Sequence, residues 1–131
     1  MKHILMLLLL TTAAWGQSMQ DQQVCHEQAR KYIVTAHHIS EEQRDWLSRK
    51  TSIESRVIGS HCYVRFLVFD GNNNLSMDTV EDVFTDTNIA LWEPKTATSD
   101  QTCLIGKQQC HVDHPKFNNL LYAKFPAFKA Q

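Results

Sequence analysis

Four glycines and three prolines in 131 residues leave little material for glycine-rich loops. A phosphate-cradling loop needs several glycines before a helix, and no segment here offers them. Gly-x-Ser-x-Gly is missing too, and with it the strained elbow that presents a serine nucleophile. No Cys-x-x-Cys occurs, which removes the usual redox motif and the closely spaced thiolate pairs of zinc sites. Charge of one sign is not in excess either: 13 Lys and Arg stand against 14 Asp and Glu. The basic residues are scattered, whereas nucleic-acid binders gather them on one face. Beyond residue 16 no stretch approaches the roughly 20 apolar residues that a membrane span needs. Internal repeats, low-complexity tracts and linkers are also lacking.

Residues 1–16 have the pattern of a signal peptide. Lys2 and His3 give a short basic start, Ile4–Leu10 an unbroken apolar run, and Ala14-Trp15-Gly16 small residues around a cleavage point. No cysteine follows the run closely enough to carry a lipid. Taking 16 from 131 residues leaves 115, the size of one domain and enough to bury a core. Without Lys2, 12 basic residues face 14 acidic ones, a charge of about −2. The expected organisation is a signal peptide over 1–16 and a single α+β domain over 17–131, in a periplasmic or secreted protein.

Cys25, Cys62, Cys103 and Cys110 all lie in the exported part. An even count in an oxidising compartment favours two disulfides, with three possible pairings. The local patterns decide which is preferred. His61–Phe69 is β-branched and aromatic and ends at Asp70-Gly71, so it reads as a central strand. Its alternation puts Cys62, Val64, Phe66 and Val68 on one apolar face. His61, Tyr63, Arg65, Leu67 and Phe69 occupy the other, a mixed face suited to partial solvation. From Met19 to about His37, after a Ser18/Asp21 capping box, Cys25, Ala29, Tyr32, Ile33 and Ala36 form one helical stripe. Cys25 and Cys62 thus both point inward, and joining them fastens helix to sheet. Cys103 and Cys110 flank a Gly106-Lys107 hairpin turn and lie opposite each other. A crossed pairing of Cys62 with Cys103 or Cys110 is the competing arrangement.

Further elements follow from the same signals. Ser40 with Gln43 starts a short helix over Glu41–Lys50, with Trp46 and Leu47 as its apolar contact. Thr51–Ile58 forms a strand that turns at Gly59-Ser60. Asp70–Asn74 is a dense turn, and Thr79–Thr85 a strand in which Val80 and Val83 fall out of step, the mark of a bulge or a change of face. Ile89–Trp92, Thr102–Ile105 and Gln108–Val112 are the remaining strands. Asp113 and Pro115 open a C-terminal helix carrying Phe117, Leu120, Leu121 and Lys124. The fold class is α+β: an antiparallel sheet of four to five strands with the N-terminal helix on one face and a short C-terminal helix packed beside it.

The order of these motifs resembles that of small exported bacterial proteins of uncharacterised function with four cysteines. Cys25-x-x-Gln28-Ala29 in the first helix, Cys62-Tyr63-Val64, Cys103-x6-Cys110 and Phe117-x-x-Leu120 carry the resemblance. It implies an α+β domain with two disulfides and brings no catalytic residue or cofactor. The remaining candidates compete with simpler roles. His111-x-x-His114 could bring two imidazoles to a zinc or copper ion, with His37, His38 and His61 as distant contributors. Ser60-His61 lacks anything that would orient a nucleophile. Asp70, Asp78, Glu81, Asp82 and Asp86 read as solvated charges at sheet edges. The aromatics Tyr63, Phe66, Phe69, Phe84, Trp92, Phe117, Tyr122, Phe125 and Phe128 read as core rather than as a ligand box. Phe125-Pro126-Ala127-Phe128 is the place where exposed aromatics would meet a partner. The expected function is that of an exported, non-enzymatic binding protein for another protein or a small apolar ligand, with no nucleic acid involved. The alternative is a periplasmic metal-binding module built on His111 and His114.

Overall fold

The computed structural model describes residues 20–37 and 51–129. The expected signal peptide, the Ser18 cap and the short helix over Glu41–Lys50 lie outside those residues. An N-terminal helix, α1, spans 20–36. Six strands follow: β1 Thr51–Ile58, β2 His61–Phe69, β3 Leu75–Asp82, β4 Thr87–Glu93, β5 Thr102–Ile105 and β6 Gln108–Gln109. A second helix, α2, runs over His114–Lys124, and a 3-10 turn over Pro126–Phe128 ends the described chain. The sheet is an antiparallel meander in the order β1-β2-β3-β4-β5-β6, so all six strands join one sheet where four to five were expected. No helix among the described residues is long and apolar enough to cross a membrane.

Both faces of the sheet are buried, each under a different helix. On β2 the even positions meet α1: Val64 and Phe66 pack with Ala29 and Ile33, supported by Ile53, Val68, Met77 and Val83. Cys25 and Cys62 sit at the same contact, joined with Cα atoms 5.5 Å apart. The opposite face gathers Val80, Ala90, Trp92, Cys103 and Ile105 beneath Phe117 and Leu121 of α2 and Phe128 of the 3-10 turn. The register explains the division. Arg65 pairs with Val80, Val80 with Ala90 and Ala90 with Ile105, so these side chains share one face, while Phe66 and Thr79 share the other.

Several expectations change accordingly. The C-terminal helix does not lie beside α1; it covers the other side of the sheet. The mixed face of β2 is partly solvated, with His61 exposed and Tyr63, Leu67 and Phe69 half-buried, but its centre is covered and Arg65 is only 4% exposed. The third strand begins at Leu75 rather than Thr79, since the Asp70–Asn74 turn is tight and Asp70 accepts from the backbone N–H groups of Asn72 and Asn74. Val80 and Val83 pack on opposite faces, and the register slips opposite Val80 and Glu81. The last hairpin strand is cut to Gln108–Gln109, because the chain turns away towards Asp113, which caps α2 by accepting from the Lys116 N–H. Phe128 is buried and Phe125 packs on the same core, so of the two readings of the C-terminal aromatics the core one holds and the exposed partner surface does not. Phe84, expected inside, is exposed in the β3–β4 turn, and Leu120 is exposed on α2. Ala36 is exposed as well.

Candidate functional site

The third strand carries the chemistry of the interior. Asp78, Glu81 and Asp82 are 0%, 8% and 3% exposed, so they are not solvated edge charges. Each meets a histidine from a different element: His114 of α2, His37 just past α1, and His61 of β2. Strand alternation sends Asp78 and Asp82 to the α2 face and Glu81 to the α1 face.

Asp78 is the most heavily bonded of the three. Arg65 Nε donates to its Oδ1 at 3.0 Å and Arg65 Nη2 to its Oδ2 at 2.5 Å, a bidentate pair across neighbouring strands. His114 Nε2–H also donates to Oδ2, at 2.7 Å. The rest of the guanidinium is used by α2: Nη1 donates to the Tyr122 hydroxyl at 2.9 Å and Nη2 to Asn118 Oδ1. Positions 114, 118 and 122 recur at one-turn spacing, so a single stripe of α2 grips the pair. Burial opposes the Arg65 charge, but the hydrogen bonds and charge of Asp78, helped by Tyr122, outweigh it and hold the guanidinium above its ordinary range. The result is a fully engaged ionic clasp between sheet and helix.

His61 and Asp82 form a second pair, with Nδ1–H donating to Oδ2 at 2.7 Å. Asp82 also accepts from the Phe84 backbone N–H, fixing the β3–β4 turn. An imidazole held through Nδ1 by a carboxylate turns Nε2 outward, as in the orienting half of a catalytic relay. Among the described residues no hydroxyl bonds to that nitrogen, and Ser60 stays exposed in the β1–β2 turn.

On the α1 face, His37 Nε2 stands 3.5 Å from Glu81 Oε2, and both atoms are buried without a hydrogen bond among the described residues. Beside them the Tyr32 hydroxyl donates to Asp86 Oδ1 at 2.6 Å. Burial first, then the Asp86 hydrogen bond and the charge of Glu81, push the Tyr32 phenol well above its usual value near 10.0. Below about pH 10 the phenol is protonated in folded and unfolded chains alike, and its full contribution is present. As pH rises through that value the unfolded chain ionises first, so stability falls until the raised folded value is passed. In an absorbance titration of the phenols, the Tyr32→Phe variant is expected to lack one late-titrating group. A Tyr32 phenolate forming near pH 10 in the still-folded protein would contradict this environment.

His111 and His114 are not assembled into a ligand set. His111 is exposed between β6 and α2, while the Nε2 of His114 is bonded to Asp78. Among the described residues no group of three His, Cys, Asp or Glu side chains could hold a metal ion.

A groove runs along the outer side of α2, between that helix and the β5–β6 hairpin. Ile105, Gln108, Gln109, Cys110, Leu120, Ala123 and Lys124 line about 360 Å³ of space. The Cys103–Cys110 disulfide, with a Cα separation of 4.9 Å, fixes the hairpin wall, and Cys110 N–H donates to Cys103 O. Leu120, 45% exposed, forms the lip on the helix side. The sequence pattern marks the hairpin and the helix but not the gap between them. Compared with known protein families, curated proteins and solved structures, the chain matches none.

Proposed function

We propose that this chain is an exported, non-enzymatic binding protein of the periplasm or the cell exterior, and that the groove beside α2 is where it takes its ligand. The observation that carries this reading is the contrast between interior and rim. The Asp78 carboxylate and the Arg65 guanidinium under α2 are bound to each other and shape the fold, whereas the groove is lined by Ile105, Cys110, Leu120 and Ala123 beside the polar Gln108, Gln109 and Lys124. Its volume falls within the range of small-molecule sites, which begins at about 300 Å³. Export is supported by the signal-like pattern of residues 1–16 and by the two disulfides, which persist in oxidising compartments. The resemblance to small exported bacterial proteins with four cysteines points the same way.

The neutral dye N-phenylnaphthylamine tests the groove without reference to charge. Native protein recovered from an oxidising compartment is expected to enhance its fluorescence at one site per chain. Leu120→Asp should lose most of that signal, while its thermal unfolding stays close to native because Leu120 is half exposed. Equal dye binding by the native chain and Leu120→Asp would place any ligand site elsewhere.

A further inference from the structure

We infer that the groove accepts an amphiphile with one anionic end, a carboxylate on an apolar chain. This rests on the binding reading above and adds the chemistry of the ligand. Ile105 gives the groove an apolar floor, and Leu120 and Ala123, three residues apart on α2, give it an apolar wall. Lys124 closes the same wall. Its ammonium lies against Gly106, in the space that a side chain at that position would fill. Gly106 has a positive φ of 61°, so the hairpin turn favours glycine there, and the missing side chain lets the ammonium reach across.

Among the described residues that ammonium has no counter-ion. No carboxylate among them pairs with Lys124; besides Gly106, the ammonium faces the Phe125 ring, 6.0 Å from its centre. The C-terminal end of α2 favours a cation at this position but supplies only partial charge. Lys107, exposed in the same hairpin turn, adds a second positive charge nearby and no negative one. A cationic ligand would be repelled at this mouth. A neutral apolar ligand would cover the ammonium without replacing its water. A carboxylate placed against Lys124 gains a charge-assisted hydrogen bond, while its chain follows Leu120 and Ala123 to Ile105.

Decanoate, decanol and a decyltrimethylammonium salt, each titrated calorimetrically into the full exported chain, separate the possibilities. Decanoate is expected to bind at one site about tenfold more tightly than decanol, the worth of one hydrogen bond to a charged group. The cationic amphiphile should bind weakest. Lys124→Gln should bring decanoate down to the level of decanol and leave decanol unchanged, and Leu120→Asp should weaken both. Equal affinity for decanoate and decanol, unaffected by Lys124→Gln, would overturn the anionic assignment while the groove reading stood. Binding of either compound that Leu120→Asp does not alter, or no binding of any of the three, would overturn both.

Discussion

Replacing Asp78 by alanine is expected to lower the unfolding free energy by about 3–5 kcal/mol, the usual result of leaving a buried charge without its partner. Arg65 then keeps its guanidinium under α2 with only Tyr122 and Asn118 as acceptors, and His114 loses the carboxylate to which it donates. The Arg65 and Asp78 side chains are 5% and 0% exposed, so solvent screening does little to soften the loss. The double variant Arg65→Met with Asp78→Ala is the informative control. It removes both charges, and a buried ion pair exchanged for apolar groups of similar volume is often near neutral. Urea unfolding of both variants should therefore show the double replacement costing clearly less than the Asp78→Ala change alone. If the two costs simply added, the pair would not be the unit that holds α2.

The second large effect is expected from Cys25→Ala with Cys62→Ala. This disulfide links residues 37 apart in sequence, and the chain-entropy model assigns such a loop about 4 kcal/mol. The Cys103–Cys110 bond links residues only 7 apart, and the same model gives it about 2.5 kcal/mol. Cys25 and Cys62 are also almost completely buried, so their loss opens space at the contact between α1 and the sheet. Chemical denaturation under non-reducing conditions should rank the helix-to-sheet pair above the hairpin pair. The reverse order would mean that α1 is held mainly by Ala29 and Ile33 rather than by sulfur.

Much of this architecture could be read from residue patterns because the signals are local. Alternation in His61–Phe69 marks β2 to the residue. The glycine and asparagine turns at Gly59 and Asp70–Asn74 bound the strands on either side. The spacing of Cys25, Ala29 and Ile33 marks the buried stripe of α1. From those elements the pairing of Cys25 with Cys62 and of Cys103 with Cys110 could be preferred over the crossed one, and the structure has it.

The polar interior was not legible in the same way, because an aspartate in a strand looks solvated until its partner is known. Asp78 finds one partner on the adjacent strand and another, His114, 36 residues further on. One signal was present. A hairpin through the Asp70–Asn74 turn puts Asp78 two positions from the residue opposite Arg65, within reach of a long side chain. An arginine in the middle of an otherwise apolar strand, with an acid at that diagonal, points to a covered face rather than a wet one. Phe84 and Phe128 both read as core, but only Phe128 is buried, and that difference has another cause. Periodicity does not say where a chain ends its turn, and the Pro126–Phe128 turn folds its last aromatic back onto the α2 core. The groove was hidden for a related reason, since it is the space left between two elements and no single segment encodes it.

The sheet is closed on its two faces by separate devices, sulfur under α1 and an ion pair under α2, so each side should loosen on its own. Amide hydrogen exchange of the two variants tests this most directly. Asp78→Ala is expected to speed exchange in α2, β4 and β5 while α1 and its contacts with β2 stay protected. Cys25→Ala with Cys62→Ala should do the opposite, releasing α1 and sparing α2. If both variants loosened the same amides to the same extent, the two faces would not be held independently.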